Sequence, residues 1–295
     1  MRPSQILITI LLAIILFGCK QEENQADSSK TEFVKSSDGV NIAYQVHGDG
    51  SNALVLVHGW CCDKSYWEEQ ILFLKNNYKV VAIDLAGHGE SGLDRESYTV
   101  YSFANDVTAV TNQLQLNNFI LIGHSLGGYV VLEAALQNPE KTTAIFPIDS
   151  YGWIPGPKTE EELQAMEKEH RRQFAENFKS SVSTMVKGMF VPESDSVLVD
   201  WVVDDMSSAV PKVGIDAFAN LFQYVYRDFG NSLKSSNSIP IICIGAGEEP
   251  QIEAFKNIHP VFENLQMDGV GHFLMMEDPD TFNQLFDDQL KQILR

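Results

Sequence analysis

Asn118-Phe119-Ile120-Leu121-Ile122-Gly123-His124-Ser125-Leu126-Gly127-Gly128-Tyr129 decides the fold, because an apolar, β-prone run ends in Gly-x-Ser-x-Gly and passes at once into a helical pattern. Ser125 is the candidate nucleophile. A serine hydroxyl attacks poorly at neutral pH, so it needs exposure, a neighbouring base and donors for the oxyanion it creates. A sharp strand-to-helix turn supplies the exposure, and the chain packs so closely around such a turn that only small residues fit at Gly123 and Gly127. The surroundings agree: Phe119 to Ile122 reads as a buried strand, and Tyr129 to Gln137 as a helix stopped by Asn138-Pro139.

Toward the amino terminus, Arg2 and the apolar run Ile6 to Phe17 read as a signal peptide, too short for a comfortable membrane span. Leu16-Phe17-Gly18-Cys19 resembles the lipobox of bacterial lipoproteins, in which the cysteine is lipidated and becomes the first mature residue. That resemblance makes Cys19 the anchor, with residues 1–18 as the leader. It also implies a place in the bacterial cell envelope. Lys20 stands where an aspartate resembles a signal for inner-membrane retention, so the outer membrane is expected if the source is Gram-negative. Residues 19–30 are polar and charged, cannot bury enough apolar surface to fold, and read as a tether.

The formal charge is −19, which repels nucleic-acid phosphates and argues against such a partner. Besides Cys19 the chain has Cys61, Cys62 and Cys243, whose spacing fits neither a zinc site nor a disulfide scaffold. Cys243 falls mid-strand. Cys61 and Cys62 read as small loop residues, since nothing nearby in the sequence is electropositive enough to lower a thiol pKa.

Further along, Glu32 to Val46 predicts a hairpin turning at Ser36-Ser37-Asp38-Gly39. Ala53 to Val57 is an uninterrupted apolar run, as in a strand covered on both faces, and it ends in His58-Gly59-Trp60. A helix is expected from about Ser65 to Lys75, a strand over Lys79 to Asp84 and a helix from Val100 to about Leu114. Alternation of this kind predicts a mostly parallel sheet between helices, with reactive groups at the strands' carboxyl ends.

His58-Gly59-Trp60, Asp84-Leu85-Ala86-Gly87-His88-Gly89-Glu90-Ser91, Gly123-His124-Ser125-Leu126-Gly127-Gly128 and Gly269-Val270-Gly271-His272-Phe273 together resemble the α/β-hydrolase fold superfamily, and they occur in its order. The resemblance implies an α/β protein with a mostly parallel eight-stranded sheet flanked by helices and a helical cap after strand 6. On that reading residues 31–150 and 237–295 form the core, and 151–236 the cap. It also implies a nucleophile, an acid and a histidine in that chain order. His272 lies on a glycine-flanked loop and is the general base, with a pKa suited to taking and returning a proton. His58 and His88 are expected to hold loops by hydrogen bonds, and His47, His170 and His259 to lie at the surface.

The acid is less direct. In most of the superfamily it follows the strand after the cap, here Ile239 to Ile244, but this chain continues Gly245-Ala246-Gly247-Glu248-Glu249-Pro250 without an aspartate. Some members place it after the strand before the cap, and Ile145-Phe146-Pro147-Ile148 leads into Asp149. Asp149 is therefore preferred, with Glu248 or Glu249 as alternatives, since any carboxylate accepting the histidine's other N–H can orient it. The oxyanion hole is expected at the backbone N–H groups of Trp60 and Leu126. Trp60 either lines the acyl pocket or simply packs.

Thr159 to Lys179 reads as a charged helical run within the cap. Phe190, Trp201, Met206, Phe218, Phe222 and Tyr226 fit the cap's own packing better than a cover for an acyl group. The expected activity is hydrolysis of small carboxylic esters without metal or cofactor. The alternatives are lactone, thioester or carbon–carbon hydrolysis, perhydrolysis, or ligand binding without catalysis. The sequence leaves the oligomeric state open.

Overall fold

The computed structural model describes residues 30–246 and 251–295; Cys19 and the candidate acids Glu248 and Glu249 lie outside them. The chain runs β1 (Glu32–Lys35), β2 (Asn41–His47), β3 (Ala53–Val57), α1 (Glu68–Leu74), β4 (Lys79–Ile83), α2 (Val100–Gln113), β5 (Phe119–His124), α3 (Leu126–Gln137) and β6 (Thr142–Ile148). The cap helices follow: α4 (Glu160–Ala175), α5 (Phe178–Lys187), α6 (Ser196–Ser208), α7 (Pro211–Arg227) and α8 (Phe229–Ser235). The chain then returns through β7 (Ile241–Ala246), α9 (Ile252–Ile258), β8 (Phe262–Met267), α10 (Leu274–Glu277) and α11 (Pro279–Ile293).

Among the described residues the strands form one eight-stranded sheet in the order β1-β2-β4-β3-β5-β6-β7-β8. The β1–β2 and β2–β4 pairs are antiparallel and all others parallel. Every residue of β3 and β5 is buried, as strands covered on both faces by helices must be. Parallel pairing brings the carboxyl ends of β3, β4, β5, β6, β7 and β8 to one edge of the sheet.

Buried polar ties fix the loops at that edge. Asp84, buried after β4, accepts from the backbone N–H groups of Lys64 and Glu90 and pairs with Lys64 Nζ at 2.6 Å. His58 Nε2 accepts the Leu85 N–H at 3.0 Å, and His88 Nδ1 lies 3.0 Å from the Ala86 carbonyl. Both rings hold loops, and burial pushes their pKa values down to about 4 for His58 and about 3 for His88.

The helical run expected over Thr159 to Lys179 is two helices. It breaks at Asn177, whose side chain accepts the Ser180 N–H and starts α5. Two histidines expected at the surface are buried. His47 closes β2, which pairs on both sides, and His259 Nε2–H donates to the Ser236 carbonyl at 3.0 Å, which compensates its burial. His170 is half-buried against Phe218 and Phe222.

Candidate active site

Ser125 sits between β5 and α3 with φ +53° and ψ −117°, a conformation that costs a non-glycine residue about 1–3 kcal/mol. Neighbouring bonds hold it there. Its N–H donates to the Ile148 carbonyl at 2.9 Å, and its own carbonyl accepts the Ser150 hydroxyl at 2.7 Å. A Cβ at Gly123 would stand 2.1 Å from the Gly127 carbonyl oxygen, and one at Gly127 2.5 Å from that of Val57, so the turn closes only on glycine. Leu126 begins α3, where helical N–H groups lack partners within the helix and the helix dipole favours negative charge.

The structure brings His272 to the same place. Ser125, His272, Gly59, Trp60 and His124 line one small cavity, with Met189 and Met206 of the cap above it. His272 Nδ1 lies 2.5 Å from Asp149 Oδ2. With the Nδ1 proton donated to that carboxylate, Nε2 carries the lone pair, which is the tautomer a general base needs.

Asp149 has φ +43°, its N–H donates to the Ile244 carbonyl at 2.8 Å, and its Oδ1 accepts the Ala246 N–H at 2.9 Å. The end of β7 thus supplies a backbone donor that steadies a carboxylate carried by β6. Trp60 both faces the cavity and packs. It lines the cavity, its indole N–H donates to the Gly214 carbonyl of α7 at 2.7 Å, and its ring packs against Phe174, Phe178 and Phe218. Cys61 and Cys62 are buried near the site, and burial pushes both thiols up, so they stay protonated.

Several residues that support His272 carry no signal a sequence displays. His124 Nε2–H donates to the His272 carbonyl at 2.8 Å, and the His272 N–H donates to the Met189 carbonyl at 2.8 Å. The main chain of His272 is held from the core on one side and the cap on the other. Burial and the nearby His272 push the His124 pKa down to about 3, so it stays neutral when His272 takes a proton. Glu277 accepts from the Gly271 N–H and the Ser194 hydroxyl, joining the histidine loop to the cap. Phe190 stacks on Phe273, with ring centroids 5.0 Å apart. Among the described residues no group of His, Cys, Asp and Glu is arranged to hold a metal ion.

Sheet order, the strained serine turn and a family model described as alpha/beta hydrolase fold, which matches residues 52–186, agree: the chain has the α/β-hydrolase fold. It is 34% identical over 119 residues to the hydrolase YugF of Bacillus subtilis, covering 40% of this chain and 44% of that protein. It is 39% identical over 97 residues to a non-heme chloroperoxidase of Streptomyces lividans, covering 32% of this chain and 35% of that one. The chain thus matches less than half the length of either relative. A malate-bound thermophilic esterase of Thermogutta terrifontis superposes with a TM-score of 0.77 at 19% identity, over 90% of this chain and 99% of that structure.

Proposed function

We propose that the protein is a serine hydrolase of small-molecule carboxylic esters, held at the bacterial envelope by a lipid on Cys19. The observation that carries the catalytic reading is the convergence of a strained, half-buried Ser125 and an Asp149-bound His272 on one cavity. Ser125 Oγ attacks the ester carbonyl while His272 Nε2 takes its proton. The negative charge that develops on the carbonyl oxygen is met by the N–H groups of Leu126 and Trp60. His272 then protonates the leaving alcohol, and water, deprotonated by the same nitrogen, releases the acid from the acyl-enzyme. Asp149 keeps the Nδ1 proton in place and stabilises the imidazolium. These steps call on no metal or cofactor.

A fluorophosphonate probe tests the reading: it should label the wild type at Ser125, and Ser125→Ala should stay unlabelled. Lack of labelling in a folded wild type would leave ligand binding without catalysis. The anchor rests on the Leu-Phe-Gly-Cys sequence. Cys19→Ala should shift the protein from membranes to the soluble fraction, and continued sedimentation after processing contradicts lipidation. The outer membrane is the proposed destination if the source is Gram-negative.

The similarity to a bifunctional esterase/perhydrolase of Acinetobacter calcoaceticus, 33% identical over 114 residues that cover 38% of this chain and 41% of that protein, favours a second reaction at the same serine, in which hydrogen peroxide replaces water and the acyl-enzyme yields a peracid. Peracid formation from acetate and peroxide, compared with ester hydrolysis under the same conditions, separates the two.

A further inference from the structure

The cavity around Ser125 and His272 measures about 20 Å³, room for little more than one water. An ester cannot sit there whole. Beside it lies a chamber of about 330 Å³, open to solvent where Gly89, Leu93, Ser208 and Val210 are exposed, and within the usual range for small-molecule sites. Cys62 lines both spaces, and α6 gives Met206 to the smaller and Asp205 to the larger. We infer that this chamber, between the loops after β3 and β4 and the α6–α7 junction of the cap, seats the part of the substrate remote from the reacting carbonyl. The inference rests on reading Ser125 as an ester-cleaving nucleophile, and assigns Cys62 and Met206 as the partition that selects what passes.

The partition is soft. Cys62 has a small side chain whose thiol contacts the Trp60 carbonyl at 3.3 Å, and Met206 is unbranched and readily changes rotamer. Either sulfur can swing aside without unravelling a helix or strand. With the carbonyl at Ser125, a tail of several carbons then has a continuous path into the chamber.

The chamber's walls define the tail. Cys61 and Cys62 are protonated thiols, Leu93, Ala209 and Val210 are apolar, and His88, Ser91 and Ser208 add polar wall. Two carboxylates face the same space, Asp63 from the core and Asp205 from the cap. Asp63 accepts from the backbone N–H and hydroxyl of Ser65, and Asp205 from the Tyr66 hydroxyl. Neither is paired with a lysine or arginine among the described residues, and none lines the chamber. Burial and the neighbouring Asp63 push the Asp205 pKa up, as like charges on opposite walls should. A tail ending in a carboxylate would add a third negative charge. The two carboxylates thus exclude an anionic tail, and the thiols with Leu93, Ala209 and Val210 suit an uncharged one of medium length, in either the acyl or the alcohol half of the ester.

Kinetics on matched esters test this. Wild type and folded variants are compared on p-nitrophenyl acetate, p-nitrophenyl hexanoate and the p-nitrophenyl monoester of adipic acid, and on methyl and hexyl acetate for the alcohol half. Val210→Trp fills the chamber and Cys62→Phe seals the partition. Each should lower the hexanoate-to-acetate ratio of kcat/KM, or the hexyl-to-methyl ratio if the alcohol half enters, by about tenfold or more. Asp205→Asn should raise adipate turnover relative to hexanoate by about threefold or more, through removal of one repelling charge. If both chain-length ratios stay put in both chamber variants, the tail binds elsewhere and the inference falls while the ester reading stands. If the wild type turns over none of the esters, the ester reading falls and takes the subsite with it.

Discussion

The carboxyl edge of the sheet and the cap above it meet at one cavity but are held together differently. At the edge, main-chain bonds fix almost every reactive group. Ser125 is tied to Ile148, Asp149 to Ile244 and Ala246, and the His272 carbonyl to His124. Over the cavity, the cap contributes two methionines and rests on aromatic stacks, with the Met189 carbonyl accepting the His272 N–H, the Gly214 carbonyl accepting the Trp60 indole N–H, and side-chain ties such as Ser194–Glu277 and Tyr66–Asp205. Groups that must hold a geometry are gripped by directional bonds, and surfaces that must adapt to a tail are built from soft side chains. Damage to the edge should thus abolish chemistry, whereas damage to the cap should change selectivity.

The largest loss is expected at the nucleophile. Ser125→Ala and His272→Ala should each lower turnover of an activated ester by about four orders of magnitude or more, and the double variant should be little worse than either. Losses that multiply would mean the two residues do not act as a unit. Next comes Asp149→Asn, which keeps the shape but removes the charge that stabilises the imidazolium. Its kcat should fall by about two to four orders of magnitude. Glu248→Gln and Glu249→Gln should each cost less than about tenfold. Near-normal activity in Asp149→Asn beside an inactive, folded glutamate variant would move the acid to the end of β7.

The difference between edge and cap also decided what could be read from sequence. Strands β3 and β5, the glycines of the Ser125 turn and the loop of His272 are legible because short-range demands, such as burial on both faces or close backbone approach, restrict residue type position by position. Asp149 was legible instead through the resemblance to members that carry the acid after the strand before the cap, and the structure places its carboxylate 2.5 Å from His272 Nδ1. What stayed hidden depends on partners distant in sequence. That His124 would reach the His272 carbonyl requires knowing that two loops 148 residues apart converge. The burial of His259 depends on the Ser236 carbonyl at the far end of the cap. The break at Asn177 was masked because its neighbours continue a helical pattern. The aromatic residues of the cap showed their period but not which of them touch Trp60.

A smaller effect should follow from His124. His124→Leu keeps apolar bulk but leaves the half-buried His272 carbonyl without its donor, a loss of about 1 kcal/mol or more in alignment and stability together. We expect kcat to drop about ten- to a hundredfold with little change in KM, since the residue acts through the base rather than on the substrate. His124→Gln can place an amide N–H near the former Nε2 and should recover much of the loss. If leucine and glutamine variants behave alike, the bond to His272 does not position the base.

The last comparison sets the edge against acid. His58, His88 and His124 are all buried there, and burial lowers their pKa values to about 4, 3 and 3. In the unfolded chain each returns to about 6.5, so on acidification from pH 7 the unfolded state takes up protons that the folded state refuses. The stability these rings contribute is complete above about pH 6.5 and is lost as pH falls toward 3–4. Between pH 7 and 5.5 each should cost about 1 kcal/mol, roughly 3 kcal/mol for the set. Burial also lowers the pKa values of His259 and His170, which adds to the loss, and raises those of Asp84, Asp106 and Asp205, which act in the opposite direction, so the decisive reading is the difference between wild type and a His124 variant. Urea unfolding at the two pH values measures the loss, and His124→Gln, with one ring fewer, should lose about 1 kcal/mol less than wild type over the same interval. An equal loss in both proteins would mean that His124 already carries a proton in the folded edge, and its neutral role beneath His272 would have to be abandoned.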